Sequence, residues 1–343
     1  MKSSLSTKRL IQAQKKGFFK NLIPEILVLG CSELEALKFI GFNNLIICHP
    51  EKSVIRKAEE FGFRTIMSDN DLIKKKFKSI QTSFVWITKS RRETFFNIAI
   101  AFIITKKGGK VIVTGEKKDG VEHFINKIKS LIDPISILSK SHGKISLFSP
   151  PDQLPKTLMK WKSEGKFKKI TSEYMTSAGA FSEKSIDKGS ELLANQFSNK
   201  LFGNVVDIGA GWGYLSSMAL KNNSRINLIT LIDSNLGAIK SARMNIKNSK
   251  AKFLWLDLEN DEVKIKNYDH VIMNPPFHIG RKVDFNLGLT FLSIAKTVLV
   301  KGGTLWMVFN RGLPYEKIII NLFPNYEFIN ETKKYKVIRA KKN

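Results

Sequence analysis

Acidic residues are scarce in this chain: 30 Asp and Glu stand against 57 Lys and Arg over 343 residues, a formal net charge of +27. That deficit disfavours a basic partner and favours a polyanionic one, through steering and counterion release. A lysine-rich compositional bias would give the same totals with no partner at all. The deficit is uneven, +18 over residues 1–170 and +9 over residues 171–343. Cysteine is nearly absent. Cys31 and Cys48 are the two present, which excludes a disulfide scaffold at this length and implies a reducing, cytoplasmic setting. With His49 they make three potential ligands without paired spacing, so no metal site is expected. No apolar run reaches the ~18 residues of a membrane span. The longest, Phe95–Thr105, is broken by Asn97 and ends at Lys106-Lys107. Met1–Lys20 holds no acid and no apolar h-region. It is a poor secretory signal and reads as an RNA-touching arm or a solvated helix, with an organelle-targeting leader as the remaining option.

What is present is ordinary globular material, 43% hydrophobic and 25% charged, long enough for two domains. Short apolar runs alternate with helical spacing, which predicts parallel sheets with crossover helices. In the second half, strands are expected at Asn204–Ile208, Asn227–Ile232, Ala251–Trp255, His270–Met273 and Thr304–Phe309. Helices open at Tyr214, Leu236 and Gly288. The first half repeats this order, with strands at Glu25–Leu29, Asn44–Cys48, Ser83–Ile87 and Lys110–Thr114. Corresponding points are Gly30 with Gly209, His49 with Asp233, Thr88 with Asn274, and Gly108-Gly109 with Gly302-Gly303, at offsets of 179 to 194 residues. Any two doubly wound domains share much of this pattern, but the repeated Lys-Gly-Gly before a strand favours duplication. Ser149-Pro150-Pro151-Asp152 marks a linker start. The expected organisation is residues 1–150, a linker over 151–170, and residues 171–343.

Four motifs carry chemistry. Asp207-Ile208-Gly209-Ala210-Gly211-Trp212-Gly213 follows a strand. Its alternate glycines Gly209, Gly211 and Gly213 permit positive φ and close approach of backbone to a ligand. It lacks the Gly-Lys-Ser/Thr ending of a phosphate loop. Its leading acid, Asp207, suits a ligand bearing an ammonium group, such as the methionine part of S-adenosylmethionine. Asp233 ends the next strand, 20 residues past Gly213, where a carboxylate can accept both hydroxyls of a ribose. Asp257 ends the third strand, beside the place of an adenine in this topology, although a plain turn aspartate fits as well. Asn274-Pro275-Pro276-Phe277-His278 ends the fourth strand, where open α/β sheets bind ligands. The Asn274 side-chain oxygen and the Pro275 carbonyl can accept from an NH₂ group. That orients the nitrogen lone pair, and orientation can supply on the order of 7–11 kcal/mol at best. Pro276 holds the backbone extended. Phe277 can stack on a planar acceptor, for roughly 1–3 kcal/mol per base. His278 could assist, touch phosphate or be structural.

With these residues in place the chain resembles the bacterial small-subunit ribosomal RNA guanine-N2 methyltransferases, the small-subunit methyltransferase C family. The likeness is closest over residues 170–343. It is carried by Ala178-Gly179-Ala180-Phe181-Ser182, Ile186-Asp187, Gly189-Ser190, Asp207–Gly213, Asn274–His278 and Leu313-Pro314-Tyr315. The resemblance implies two tandem Rossmann-like class I methyltransferase domains, the first degenerate, and a cytoplasmic enzyme that is more often monomer than oligomer. It implies S-adenosylmethionine as cofactor, touched by Phe181, Asp207, Gly209, Gly211, Asp233 and Asp257. It implies ribosomal RNA in the small subunit as partner, its guanine held by Asn274 to Phe277 after unstacking. In the first half His49 and Thr88-Lys89-Ser90-Arg91 replace the acid and the tetrad, so that copy should neither bind cofactor nor transfer methyl. Its basic character would grip phosphates, with Lys74, Lys75 and Lys76 as the candidate patch. Large-subunit RNA, an adenine amine, a glutamine amide, and a non-catalytic ribosome-assembly factor are the competing readings. Glutamine enzymes usually carry Tyr where this chain has Phe277.

Overall fold

The structure is a computed structural model that describes residues 4–67, 80–262, 264–275, 278–279, 282–283, 285–313 and 315–343, with side chains described outside 276–286. The chain divides into two compact units, Met1–Lys166 and Phe167–Asn343.

In the first unit the strands are Ile26–Leu29, Leu45–Cys48, Arg64–Ile66, Ile80–Trp86, Thr105–Glu116, Ser136–Lys140 and Gly143–Phe148. Numbered in chain order, they lie side by side as 3-2-1-4-5-7-6. The first five pair in parallel and the last two antiparallel. The central strand Ile26–Leu29 is buried at every position, as a strand covered on both faces must be. Helix Arg91–Ile104 lies on one face and buries Ile98, Ala101 and Phe102. Ser90 caps it, accepting from the Glu93 amide at 3.1 Å, the spacing of a capping box.

The N-terminal segment is neither an arm nor a solvated helix. Leu5–Lys15 is helical, capped by Ser4, and buries Arg9, Leu10 and Ala13 completely. The Arg9 guanidinium donates to Thr114 Oγ1 at 3.1 Å, Ser6 Oγ at 3.2 Å and the Ser141 carbonyl at 3.3 Å. Burial lowers its pKa, countered by Glu116 and Glu33. Charge counting could not see this partner set. The stretch expected as a linker also carries structure. Helix Lys156–Lys162 buries Leu158, and Trp161 sits 4.9 Å from Phe95, ring to ring. Arg92 donates to the carbonyls of Glu164 and Lys166. The candidate patch Lys74–Lys76 lies outside the described residues.

The second unit has strands Gly203–Ile208, Ile226–Asp233, Ala251–Trp255, Tyr268–Met273, Leu299–Asn310, Asn325–Glu331 and Tyr335–Lys341, together with two short two-stranded ribbons. The seven-stranded sheet repeats the order 3-2-1-4-5-7-6. Its cores lie on the two faces of the sheet. One is built on Val206, Val271, Leu305 and Leu292, the other on Val205, Ile272, Trp306 and Leu193. The alternation of neighbouring residues between the two clusters is the two-residue period of a strand.

Sheet register corrects one correspondence. In the second unit Ile208 lies opposite Ile232 and Met273, which brings Gly209, Asp233 and Asn274 level at the carboxyl edge. In the first unit Leu29 lies opposite Cys48 and Val85. Gly30 is therefore level with His49, as expected, but with Trp86 rather than Thr88. The strand Ile80–Trp86 simply ends two residues before the polar run begins.

Candidate active site

Three parallel strands of the second unit end on one line, and the residues after two of them, Gly209 and Asn274, help to build a cleft that Asp233 does not line. Gly209, Gly211 and Asn274 line it, with Phe181, Asp187 and Ser190 facing them. The glycine turn needs its glycines, with φ of +74° at Gly209, +56° at Gly211 and +91° at Gly213, values that cost other residues roughly 1–2 kcal/mol. A side chain at Gly211 would meet nothing within 4 Å, so its backbone is bare toward the cleft. Gly213 is different. It starts helix Tyr214–Asn222 and packs against Ala242 and Ile246, outside the cleft lining.

Asp233 supports this turn directly. One carboxylate oxygen accepts from the Gly211 amide at 2.7 Å, the other from the Asn235 amide at 2.8 Å.

Asp207 lies beneath the loop and is fully buried. Its Oδ2 accepts from the Ser216 hydroxyl at 2.7 Å and amide at 3.1 Å. Its Oδ1 has no hydrogen-bond partner among the described residues. Burial pushes the carboxyl pKa up to about 7; the Ser216 bonds oppose this and the nearby Asp233 charge reinforces it. Asp207 thus fastens the glycine turn to the following helix, and its bare oxygen is the one polar atom there still without a donor among the described residues.

Asp257 is buried, at 3% exposure, and closes its own turn. It accepts from the Glu259 amide at 3.2 Å and the Asn260 side chain at 2.8 Å. The turn-aspartate reading accounts for these bonds, and Asp257 does not line the cleft.

Phe181 is 62% exposed, a large apolar ring held at the cleft. Its loop is anchored on both sides of it, the Gly179 amide donating to Glu183 and Thr176 Oγ1 to the Glu183 carbonyl. Trp212 also borders the cleft, but its ring is buried between Tyr174 and Tyr214, at ring distances of 5.2 and 5.7 Å. Leu313 and Tyr315 are also core residues, so the late Leu-Pro-Tyr stretch is packing as far as it is described.

Asn274 follows the fourth strand and Pro275 after it is buried. Pro276, Phe277 and the side chain of His278 lie outside what the structure describes. The Asn274 amide nitrogen donates to Asp187 Oδ2 and to Ser190 Oγ, both at 2.9 Å. Both of its hydrogens are therefore engaged, and no described residue bonds the Asn274 oxygen. In the sequence Asp187 and Ser190 stand out only among the stretches that carry the family likeness. The Asp-x-x-Ser spacing before a helix was the available signal, since Asp187 also caps helix Lys188–Gln196 through the Ser190 amide.

A bare glycine backbone, a carboxylate at the ribose position of the neighbouring strand, an orphaned buried carboxylate oxygen and an exposed aromatic lid suit a nucleoside ligand with a charged tail. Among the described residues no cluster of His, Cys, Asp and Glu could hold a metal, and no helix is long and apolar enough to cross a membrane.

The comparisons with known proteins agree with this geometry. The model of the Methyltransferase small domain family matches residues 171–339. The chain is similar to the ribosomal RNA small subunit methyltransferase C of Proteus mirabilis, 26% identical over 91% of this chain and 90% of the relative. It is also similar to that of Buchnera aphidicola, 37% identical over 47% of this chain and 48% of the relative. Its fold is similar to that of the T. thermophilus 16S rRNA N2 G1207 methyltransferase, solved with AdoMet and guanosine. That match has a TM-score of 0.77 at 18% identity and covers 94% of this chain and 89% of the other. Residues 171–339 are thus matched by the Methyltransferase small domain family, and nine-tenths of the chain is similar to a ribosomal RNA small subunit methyltransferase C.

Proposed function

We propose that the chain methylates the exocyclic N2 amine of a guanine in small-subunit (16S) ribosomal RNA, using S-adenosylmethionine. The observation that carries this reading is Asn274. Its amide hydrogens are held by Asp187 and Ser190, so its oxygen is left as an acceptor on a cleft beside the glycine turn. An acceptor there suits an NH₂ group and not a keto oxygen.

The cofactor would lie along Gly209 and Gly211, its ribose on Asp233, with Phe181 over it. Asp207 would act through the loop it fastens, with its bare oxygen toward the ammonium end. S-adenosylmethionine supplies a methyl carried on a sulfonium, which leaves as a neutral thioether. The protein's part would be to orient the amine toward that methyl and to let the proton displaced from the amine pass to water. Pro275, Pro276 and Phe277 would complete the acceptor site. The basic first unit would grip RNA phosphates, and we propose a cytoplasmic monomer, which light scattering would test.

The deciding experiment incubates purified protein with labelled S-adenosylmethionine and, separately, unmodified 16S RNA, assembled small subunits and large-subunit RNA. Label recovered as N2-methylguanine on small-subunit material is expected. Label only on large-subunit RNA would overturn the target. No label on any RNA would turn the reading to a protein amide or a non-catalytic factor.

A further inference from the structure

A side-chain amide can sit either way round in the same space, and the two orientations differ only in which end accepts and which donates. In this fold the choice is made by neighbours from another element. Asp187 and Ser190 belong to the cap and first turn of helix Lys188–Gln196, while Asn274 follows strand Tyr268–Met273. Asp187 Oδ2 accepts twice, from the Ser190 amide and from the Asn274 amide nitrogen, each at 2.9 Å. Ser190 is buried at 7% exposure, and its hydroxyl takes the second Asn274 hydrogen at 2.9 Å. An ionised carboxylate only accepts. Turning the amide over would set the Asn274 oxygen against the Asp187 oxygen, losing that bond for a repulsive contact between two acceptors, whereas the Ser190 hydroxyl, which donates as well as accepts, would hold either end.

We infer that Asp187 and Ser190 are positioning residues: Asp187 turns the Asn274 carboxamide with its oxygen toward the acceptor, Ser190 holds the group in place, and together they make the site selective for an NH₂ donor. This rests on the role proposed above for Asn274. It also gives the helix cap a second duty. The same oxygen that ends the Phe181 segment and starts the helix sets the polarity of the acceptor site, so the two sides of the cleft are tied through one atom.

The test uses the full chain, 16S RNA and labelled S-adenosylmethionine, with single-turnover transfer, cofactor affinity by calorimetry and thermal melting measured on each variant. Ser190→Ala removes one lock bond and keeps the Asp187 cap. It should lower the transfer rate by ~10- to 100-fold, the scale of a misoriented group, with cofactor affinity and melting unchanged. Ser190→Thr restores the hydroxyl and should recover most of the rate. In an Asn274→Ala background, Ser190→Ala should cost nothing more, because the group it orients is gone. A wild-type rate for Ser190→Ala, a loss matched by weaker cofactor binding, or an unchanged penalty in the Asn274→Ala background would overturn the positioning role. A wild-type rate for Asn274→Ala alone would instead sink the acceptor assignment on which it stands, so the two failures are told apart.

Discussion

The two units share a strand order and differ at the carboxyl edge of the sheet. In the second, the edge presents bare glycine backbone, Asp233 and the Asn274 oxygen. In the first, the same line is closed. A methyl group on Gly30 would come within 2.8 Å of Thr88 Cγ2 and 2.9 Å of the Trp86 carbonyl. His49 is buried, its pKa lowered by desolvation to about 4, and its Nδ1 accepts from the Glu51 amide at 3.1 Å. Thr88 bonds Thr94, and Ser90 caps a helix. The loop that serves a ligand in one unit serves the fold's own backbone in the other. Architecture supplies the edge, and the residues on it decide whether it is a site.

This contrast can be broken or sharpened. The largest effect is expected from Asn274→Ala, which should cut methyl transfer by ~100-fold or more and leave cofactor affinity within a small factor. Comparable loss of cofactor binding would mean that Asn274 belongs to the cofactor side of the cleft. Next is Gly30→Ala, where positive φ and the close neighbours together should cost about 2–3 kcal/mol in urea unfolding. If the first unit takes no part in cofactor binding, its cofactor affinity should match wild type; weakened binding would contradict that division.

A smaller effect follows from Asp207. Its folded pKa is raised to about 7 by burial, against ~3.9 unfolded. Its stabilising contribution is therefore complete below about pH 4 and is lost as pH rises through 7, by up to ~1.4 kcal/mol per pH unit in that window. Denaturant unfolding of wild type and Asp207→Asn at pH 5 and 6.5 should show the wild type losing more. Parallel curves would mean that the carboxyl is already ionised. The smallest effect is a null one. His49→Asp should leave calorimetric stoichiometry at one cofactor per chain, since Thr88, Trp86 and Asn97 fill the space around Gly30. A second binding event would show that the first edge is closed by one residue only.

Much of this was legible in the sequence, and for identifiable reasons. Apolar runs of strand length between helical periods gave nearly every parallel strand to within a few residues, as at Ala251–Trp255. The glycine turn and the Asn-Pro-Pro-Phe tetrad were visible because their backbone needs restrict residue type. The antiparallel strands closing each sheet were missed. Asn325–Glu331 is mostly exposed, so no strong apolar pattern marks it. The helix at Leu5–Lys15 was misjudged because a buried arginine looks like surface charge until its acceptors are known.

The sequence by itself determined the fold class, the repeat, the glycine turn and the identity of the polar groups at the strand ends, because these depend on local periodicity and on conformations few residues tolerate. Only the tertiary structure decided that Gly30 is level with Trp86 and that Asp187 and Ser190 hold Asn274. Register and side-chain pairing join residues up to 87 apart in the chain, and such contacts form only when separate elements are packed against one another.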